Sequence, residues 1–307
     1  MRTGIHVAPS GNVANAIDEL ITAAREAADA GLTSFWLPQL FDLDALTALA
    51  AIGREVPDIE IGTAVVPTYP RHPIVMAGQA LAVQAASGNR LQLGIGLSHQ
   101  LVIEGLFGYS FDRPARHMRE YLSVLGPLIR GEQVSFQGET LKAVTMAPMK
   151  VAGAAPCPIL VAALAPVMLT LTGQLADGTV TWMVGPKTLA GHVVPTLAAA
   201  ATAAQRPAPR IVVGIPVCVT DEPDRARQQA TKVFAIYGQL PSYRAMLDKE
   251  GVEGPADVAV VGDEKAVAAQ LTGLTEAGGT EVVAAVFGSQ HERGRTLAVL
   301  SDLAATS

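Results

Sequence analysis

Eight short apolar runs, separated by longer stretches of helical periodicity, constrain the fold of this chain more than any other feature. The runs are almost continuously apolar, as is typical of parallel strands that helices cover on both faces. They predict strands over residues 3–9, 34–38, 59–66, 90–97, 158–164, 178–184, 210–219 and 280–287. Eight strands that alternate with helices predict an α/β fold, a (β/α)8 TIM barrel, with a doubly wound sheet as the alternative.

The stretches between these runs carry apolar residues three and four positions apart. Ile17, Leu20, Ile21 and Ala24 share one face of the first helix, and Gly31 ends it. Proline suits the first position of a helix, because its φ angle is already helical and its missing N–H would have no partner there. Three further helices are therefore predicted to begin at Pro73, Pro114 and Pro166.

Two segments do not fit the repeat. Residues 132–144 alternate in polarity and turn at Gln137–Gly138, which predicts a hairpin inserted after the fourth strand and its helix. Residues 240–263 separate the seventh and eighth units, and we expect a helical or irregular insertion there, near the mouth of the barrel. Nothing in the composition resembles a linker between domains. We therefore expect residues 1–307 to form a single domain.

Charge and hydropathy exclude several classes of partner. The net charge is −6 and no basic run occurs, which argues against nucleic acid as a partner. No apolar stretch is long enough to span a membrane, and the first residues lack the apolar segment of a signal peptide. Cys157 and Cys218 both lie in apolar runs, so we expect buried thiols and a cytoplasmic protein.

The carboxyl ends of the strands should carry the chemistry, since this face holds the active site of TIM-barrel enzymes. The predicted face contains His6, Gln39, Trp182 and the residues that follow the third, fourth and fifth strands, namely 64–71, 94–99 and 163–166. Gly94 and Gly96 do not begin a dinucleotide fingerprint, because His99 replaces the third glycine and no acidic residue follows at the required distance. They either admit a flat ligand close to the backbone or merely ease packing.

The loop before Pro166 indicates an anion site. The amides of Ala163, Leu164 and Ala165 precede a helix, so they and the helix dipole can hold a phosphate without a lysine or arginine. An ordinary strand-to-helix turn is the alternative. Because the chain has no metal-ligand spacing, no G-x-S-x-G motif and no activated cysteine, we predict no metal and expect a cofactor to supply the reactivity.

Two blocks of sequence carry a resemblance to a known family. They are "GTAVVPTYPRHPIVMAGQALAVQAASGNRLQLGIGLSH" (62–99) and "LAPVMLTLTGQLADGTVTWMVGP" (164–186). Both closely resemble the luciferase-like flavin-dependent superfamily. The chain is most similar to the actinobacterial branch that uses coenzyme F420, a deazaflavin. The likeness covers most of the chain and is weak over 132–150 and 240–263.

The resemblance implies a cofactor site. It implies a bulge with a cis peptide bond between Ala64 and Val65 that supports the cofactor ring. It also implies that Gly96, Leu97 and Ser98 flank the ring or the ribityl chain and that Gln39 contacts the same region. The amides of Ala163, Leu164 and Ala165 would bind the phosphate. Pro166, His6 and Trp182 lie on the same predicted face, and we include them among the cofactor-binding candidates.

Two residues depart from the family pattern. Ala165 stands where relatives commonly have glycine, which puts the phosphate position in question. Leu40 stands where the sugar-phosphate dehydrogenases of the superfamily have a catalytic histidine, so that activity is not predicted. We expect hydride transfer between deazaflavin C5 and a small enone, carbonyl or alcohol substrate. His72, His99 and Tyr69 are the candidate proton donors, with solvent as the alternative.

The sequence leaves three functions open. The first is a coenzyme F420-dependent oxidoreductase, the second an FMN-dependent luciferase-like monooxygenase, and the third a non-catalytic cofactor-binding homologue. By the same resemblance we expect a homodimer. Its interface would use the alanine-rich helices near residues 44–56 and 73–86.

Overall fold

The structure is a computed structural model that describes residues 1–11 and 13–306. Eight parallel strands close into a barrel, and two short strands, a separate hairpin and a ring of helices surround it. The strands are β1 (Thr3–His6), β2 (Ser34–Leu37), β3 (Glu60–Thr63), β4 (Val66–Pro67), β5 (Leu91–Gly96), β6 (Ser135–Gln137), β7 (Lys142–Val144), β8 (Ile159–Val161), β9 (Gly178–Trp182), β10 (Arg210–Val219), β11 (Val260–Gly262) and β12 (Glu281–Val286).

The helices follow the strands as the repeat predicts. They are α1 (Ala16–Asp29), α2 (Ala45–Glu55), α3 (Pro73–Ser87), α4 (Gln100–Gly105), α5 (Pro114–Ile129), α6 (Pro166–Leu175), α7 (Pro186–Thr188), α8 (Val194–Ala203), α9 (Pro223–Val233), α10 (Pro241–Glu250), α11 (Pro255–Val258), α12 (Glu264–Glu276) and α13 (Gln290–Ala305). A π-helical turn (Leu189–Val193) joins α7 to α8, and a 3-10 turn (Ala235–Gln239) precedes α10. Among the residues described, no helix has the length and apolar character that a membrane crossing needs.

The strand pairing confirms the predicted TIM barrel. The order around the barrel is β1, β2, β3, β5, β8, β9, β10 and β12, and β12 pairs with β1 to close the ring. Every one of these pairings is parallel, so all eight strands end at the same mouth. All eight predicted strands are present, and the third is divided: β3 ends at Thr63, and the chain pairs again with β5 only at β4.

Both insertions lie where the sequence places them. β6 and β7 form the predicted hairpin, with Ser135 opposite Val144 in an antiparallel register. The segment 240–263 contains α10 and α11, but it ends in β11, which pairs in parallel with β10. The expectation of a purely helical or irregular insertion was therefore wrong at its end. A run of only three residues, Val260–Gly262, is too short to distinguish a strand from a loop by periodicity.

The base of the barrel, opposite the mouth, holds a buried charge network at the first residues of four strands. Ser34 Oγ donates a hydrogen bond to Glu281, which is fully buried, and the Trp36 indole N–H donates to Ser34 Oγ at 2.7 Å. Arg210 pairs with Glu281 and also with Glu60, at 2.8 Å from Glu60 Oε2. Burial acts to lower the pKa of Arg210, but the two carboxylates outweigh it and raise the pKa. The network closes the base, so the mouth is left for the chemistry.

Candidate functional site

The end of the third strand forms a ledge at the mouth. The peptide bond between Ala64 and Val65 is cis, as the resemblance implies. The Ala64 amide donates to the Leu37 carbonyl at 2.8 Å, and the Val65 side chain lies over the end of β5. A Cβ atom at Gly96 would lie 2.7 Å from a methyl carbon of Val65, and one at Gly94 would collide with the Thr63 carbonyl. Both glycines are therefore required by this close approach, and together with Val65 they leave a surface without long side chains.

His6 and Trp182 stand beside this ledge, at the ends of β1 and β9. Their ring centroids are 5.5 Å apart. The His6 ring hydrogen-bonds the Ala64 carbonyl, which belongs to the cis peptide itself. Burial lowers the pKa of His6 to about 4, an effect that this hydrogen bond opposes only in part. His6 is therefore neutral at pH 7 and adds no positive charge to the site.

The connection after β5 brings its predicted residues to the mouth. Ser98 has a φ angle of +61°, which turns the chain sharply out of the strand. Leu97 packs against the main core, and His99 is the residue before α4. Burial lowers the pKa of His99, so it too is neutral at pH 7. The Gly96 carbonyl accepts a hydrogen bond from the Thr68 amide at 2.9 Å, which fixes the loop after β4 against the end of β5.

The loop between β8 and α6 places three backbone amides just before the start of a helix. In the part of the chain that the structure describes, the amides of Ala163, Leu164 and Ala165 have no hydrogen-bond acceptor. Pro166 begins the ten-residue helix α6, whose dipole adds to the positive potential there. Ala165 has φ −72° and ψ 148°, a conformation that alanine adopts without strain. The departure from glycine at this position therefore does not distort the loop.

His192, which the sequence reasoning missed, supports this loop. It lies in the π-helical turn, and its ring Nε2 is 2.8 Å from the Leu164 carbonyl oxygen. A histidine so placed fixes the orientation of the Leu164–Ala165 peptide group, which carries the Ala165 amide. No spacing rule connects position 192 with position 164, so only the fold brings the two together.

Gln39 serves the loop after β2 as well as the candidate site. Its side-chain amide donates to the carbonyls of Leu40 and Leu43, and its oxygen accepts from the Ala45 amide at 3.0 Å. Arg71 donates to the same oxygen at 3.2 Å and pairs with Asp44. Gln39 therefore ties the loop after β2 to the loop after β4, and its polar atoms already have partners.

The candidate proton donors differ in whether their polar atoms already have hydrogen-bond partners. Both ring nitrogens of His72 have structural partners: Nδ1 accepts from the Ile74 amide at 3.3 Å, and Nε2 lies 2.9 Å from the Lys142 carbonyl. His72 is thus the N-cap of α3 and a link to the hairpin, so neither of its ring nitrogens is available to a substrate. Tyr69 keeps a buried hydroxyl without a hydrogen-bond partner among the described residues. Burial, with Asp112 and Glu104 nearby, raises the pKa of Tyr69 to about 12.

Tyr69 belongs to an aromatic stack that the sequence did not reveal. Its ring stacks on the ring of His117, with the two centroids 4.0 Å apart and the ring planes 5° from parallel. It also stacks on the ring of Phe111, with the centroids 5.3 Å apart. His117 comes from α5, and its Nε2 is 3.0 Å from Thr68 Oγ1. Burial lowers the pKa of His117 to about 4. The stack therefore fixes the position of Tyr69 and leaves its hydroxyl uncharged.

The two neutral histidines predict acid sensitivity. The pKa values of His6 and His117 are lowered from 6.5 to about 4 in the folded protein. Between these two pH values the unfolded chain therefore binds more protons than the folded chain. Their contribution to stability is complete above pH 6.5 and is lost as the pH falls from about 6.5 to about 4. The slope of the unfolding free energy against pH gives the number of protons that the chain takes up on unfolding. We expect His117→Asn to lower this number by up to about one between pH 6.5 and about pH 4. Urea unfolding at a series of pH values measures the slope, with His291→Asn as the control. An unchanged slope in the His117 variant would contradict the assignment.

The mouth of the barrel thus combines a ledge over two glycines with a loop whose amides have no acceptor among the described residues. The comparison with protein families identifies the class of protein. The chain belongs to the luciferase-like monooxygenase family, whose model matches residues 1–281.

Relatives in sequence include a reductase and a candidate coenzyme F420-dependent oxidoreductase. A 5,10-methylenetetrahydromethanopterin reductase of Methanolobus tindarius is 26% identical over 265 residues, which are 85% of this chain and 78% of the relative. A Mycobacterium tuberculosis protein, named as a candidate coenzyme F420-dependent oxidoreductase, is 31% identical over 177 residues. That match covers 52% of this chain and 49% of the relative.

Solved structures share the fold across both cofactor classes. The coenzyme F420-dependent tetrahydromethanopterin reductase from Methanopyrus kandleri has a TM-score of 0.81 at 19% identity, covering 98% of this chain and 97% of the other. The oxygenating component of 3,6-diketocamphane monooxygenase from Pseudomonas putida, solved with FMN, has a TM-score of 0.77 at 18% identity, covering 100% and 98%. At these identities the likeness establishes the fold alone.

Proposed function

We propose that this protein is a coenzyme F420-dependent oxidoreductase that transfers a hydride between deazaflavin C5 and a small enone, carbonyl or alcohol substrate. The observation that carries the proposal is the pairing of the Val65–Gly96 ledge with the acceptor-free amides of residues 163–165. One sequence relative is named as a candidate coenzyme F420-dependent oxidoreductase. The FMN-bound monooxygenase of Pseudomonas putida and the coenzyme F420-dependent reductase of Methanopyrus kandleri both match in fold alone. The sequence relative supports the choice of the deazaflavin.

The residues at the mouth fit such a group. Ala64, Val65 and Gly96 would support the ring, with His6, Trp182 and Leu97 around it and Gln39 holding the neighbouring loop. Ser98 would face the ribityl chain, and the amides of Ala163, Leu164 and Ala165, at the start of the helix that Pro166 begins, would hold the phosphate. When bound, the deazaflavin supplies a hydride at C5 and has little reactivity with oxygen.

The chain itself has to orient the substrate and deliver the proton. His99 and Tyr69 are the proton donors that we propose. Each is neutral at pH 7, and the side chain of neither is engaged in a hydrogen bond within the described residues. In the reducing direction an enone gains a hydride at its β-carbon and a proton at its α-carbon. A neutral imidazole or phenol can hold that proton at the mouth without burying a charge.

A turnover assay tests the proposed function. Purified protein, reduced coenzyme F420 and 2-cyclohexenone are mixed without oxygen, and the fluorescence of the oxidised coenzyme is followed. We expect one oxidised coenzyme per enone reduced, and no oxygenated product of the enone when reduced FMN is offered in air. An oxygenated product with FMN and no reaction with the deazaflavin would replace the proposal by an FMN monooxygenase. No reaction with either would favour a non-catalytic homologue.

We also propose a homodimer formed through α3. Most apolar residues of α2 are already buried within one chain, among them Leu46, Leu49 and Ile52. On α3, Val75 is 53% exposed and Ala82 is exposed on the same outer face. We expect light scattering to give about twice the chain mass of 31.8 kDa.

Val75→Arg tests this interface, because a charge placed in an apolar contact should dissociate the dimer. Val233→Arg is the matched control, since Val233 is similarly exposed at the far end of α9. A monomeric mass for the unaltered protein, or a Val75→Arg variant that remains dimeric, would contradict the interface.

A further inference from the structure

Four aromatic side chains form a continuous wall across the mouth, and we call Trp182, Tyr237, Tyr243 and His99 the aromatic wall. The ring centroids of Trp182 and Tyr237 are 5.8 Å apart, those of Tyr237 and Tyr243 5.1 Å, and those of Tyr243 and His99 6.0 Å. Phe234 is buried and packs edge-on against the Trp182 ring, with the two ring centroids 6.1 Å apart. It therefore supports the wall from behind. The wall therefore consists of packed rings rather than of loose surface side chains.

The segment that carries the two tyrosines reaches across the barrel. Tyr237 lies in the 3-10 turn and Tyr243 in α10, both after β10, whereas His99 follows β5. In the barrel order β5 and β10 are separated by β8 and β9. A contact between Tyr243 and His99 thus places this segment over the mouth, next to the connection that follows β5.

The wall is polar in its hydrogen-bonding groups but carries no charge. Burial raises the pKa values of Tyr237 and Tyr243 and lowers that of His99. Arg244, the cation next to Tyr243 in α10, is directed elsewhere: it pairs with Asp248 and donates to the carbonyls of Val252 and Glu253. Among the described residues the Tyr243 hydroxyl forms no hydrogen bond, and it keeps some exposure to solvent.

Composition points to the same place. The chain has only five tyrosines in 307 residues. Four of them, at positions 69, 109, 237 and 243, lie in connections that follow the carboxyl ends of strands. Flat rings stack on aromatic side chains, and an unpartnered phenol O–H seeks an acceptor oxygen. Two of these tyrosines, Tyr237 and Tyr243, belong to the aromatic wall, where a flat ligand could stack.

We propose that the aromatic wall binds an uncharged, flat, unsaturated carbonyl compound, with the Tyr243 hydroxyl donating a hydrogen bond to its carbonyl oxygen. The inference rests on the proposed function, because it names the substrate class of the same site. The substrate ring lies against the wall, and an anionic substituent is rejected because neither the wall nor Arg244 offers it a counter-charge.

Equilibrium dialysis with three probes of one shape tests the inference. 2-Acetonaphthone is a flat neutral ketone, 2-naphthoate carries a negative charge in place of the ketone, and naphthalene has no oxygen. We expect the unaltered protein, with or without coenzyme F420, to bind the ketone at least about tenfold more tightly than the carboxylate. Tyr243→Phe should weaken ketone binding by about 3- to 10-fold, the worth of one hydrogen bond, and leave naphthalene binding unchanged.

The controls make each result decisive. Tyr243→Phe keeps the ring, so the packing with Tyr237 and His99 remains, and Tyr109→Phe removes an exposed phenol outside the wall. Equal ketone binding by the Tyr243→Phe variant, or carboxylate binding as tight as ketone binding, overturns the inference. Coenzyme binding is measured on the same samples by fluorescence quenching. Its failure counts against the proposed function alone, and its success beside a negative ketone result counts against the aromatic wall alone.

Discussion

Ala165→Asp is expected to weaken the binding of coenzyme F420 by about 100-fold relative to Ala165→Asn. Two negative charges about 5 Å apart near a protein surface repel each other by about 3 kcal/mol, which corresponds to this factor. Ala165 is exposed and is the N-cap of α6, a position that favours aspartate and asparagine alike. The two variants therefore differ in charge and not in the stability of the helix. Fluorescence titration at low ionic strength measures the two dissociation constants.

A phosphate-free deazaflavin core provides the internal control for this pair. It lacks the charge that the introduced aspartate would repel, so both variants should bind it equally. Added salt should reduce the difference for the complete coenzyme, because exposed charges are screened. Equal coenzyme binding by the two variants would show that the phosphate does not lie at residues 163–165, and the anion site would have to be sought elsewhere.

Glu281→Gln is expected to lower the free energy of unfolding by about 3 kcal/mol, because it leaves the charge of Arg210 at the base of the barrel with only one partner. Glu281 is fully buried, and it accepts from both Ser34 and Arg210. Glu139→Gln is the matched control: Glu139 pairs with Arg113 and Arg116 on the surface and is 52% exposed, so its loss should cost less than about 1 kcal/mol. Urea unfolding measures both.

The base and the mouth should respond independently, because they lie at opposite ends of the strands. Below its unfolding transition, Glu281→Gln should bind the coenzyme as the unaltered protein does. A loss of coenzyme affinity in the folded variant, or a cost no greater than that of Glu139→Gln, would contradict the separation of a stabilising base from a functional mouth.

The barrel was predictable from the sequence because burial on both faces leaves a strong local signal. Runs such as the one that became β10 (Arg210–Val219) are apolar at nearly every position, and the helices begin at Pro73, Pro114 and Pro166 as the N1 preference of proline requires. The signal fails where an element is short: β11 has three residues, and the π-helical turn Leu189–Val193 has no pattern of its own.

The candidate site was predictable only in part. The cis peptide at Ala64–Val65 followed from the resemblance and is present, whereas the roles of the proposed cofactor residues remain to be tested. The burial of Glu281 could not be predicted from the sequence, because a carboxylate at the start of a strand is usually a surface residue. Only the structure shows Arg210 and Ser34 beside it.

Contacts between distant elements explain the remaining omissions. Tyr243 meets His99 across the mouth, and His192 meets Leu164 from a turn of another unit. The two residues of each pair are too far apart in the sequence for a motif with fixed spacing to connect them. His72 had a local signal, since the residue before a proline that begins a helix is its N-cap, and this interpretation predicts the observed bond to the Ile74 amide.

Competitive binding of three cofactors tests the central claim most directly. The protein is titrated with coenzyme F420, with the phosphate-free deazaflavin core and with FMN, and the quenching of each fluorescence is recorded. We predict that coenzyme F420 binds at least about tenfold more tightly than the core, through the charge-assisted hydrogen bonds of the 163–165 amides, and that FMN does not displace it. Tight uptake of FMN with no binding of coenzyme F420 would contradict the account.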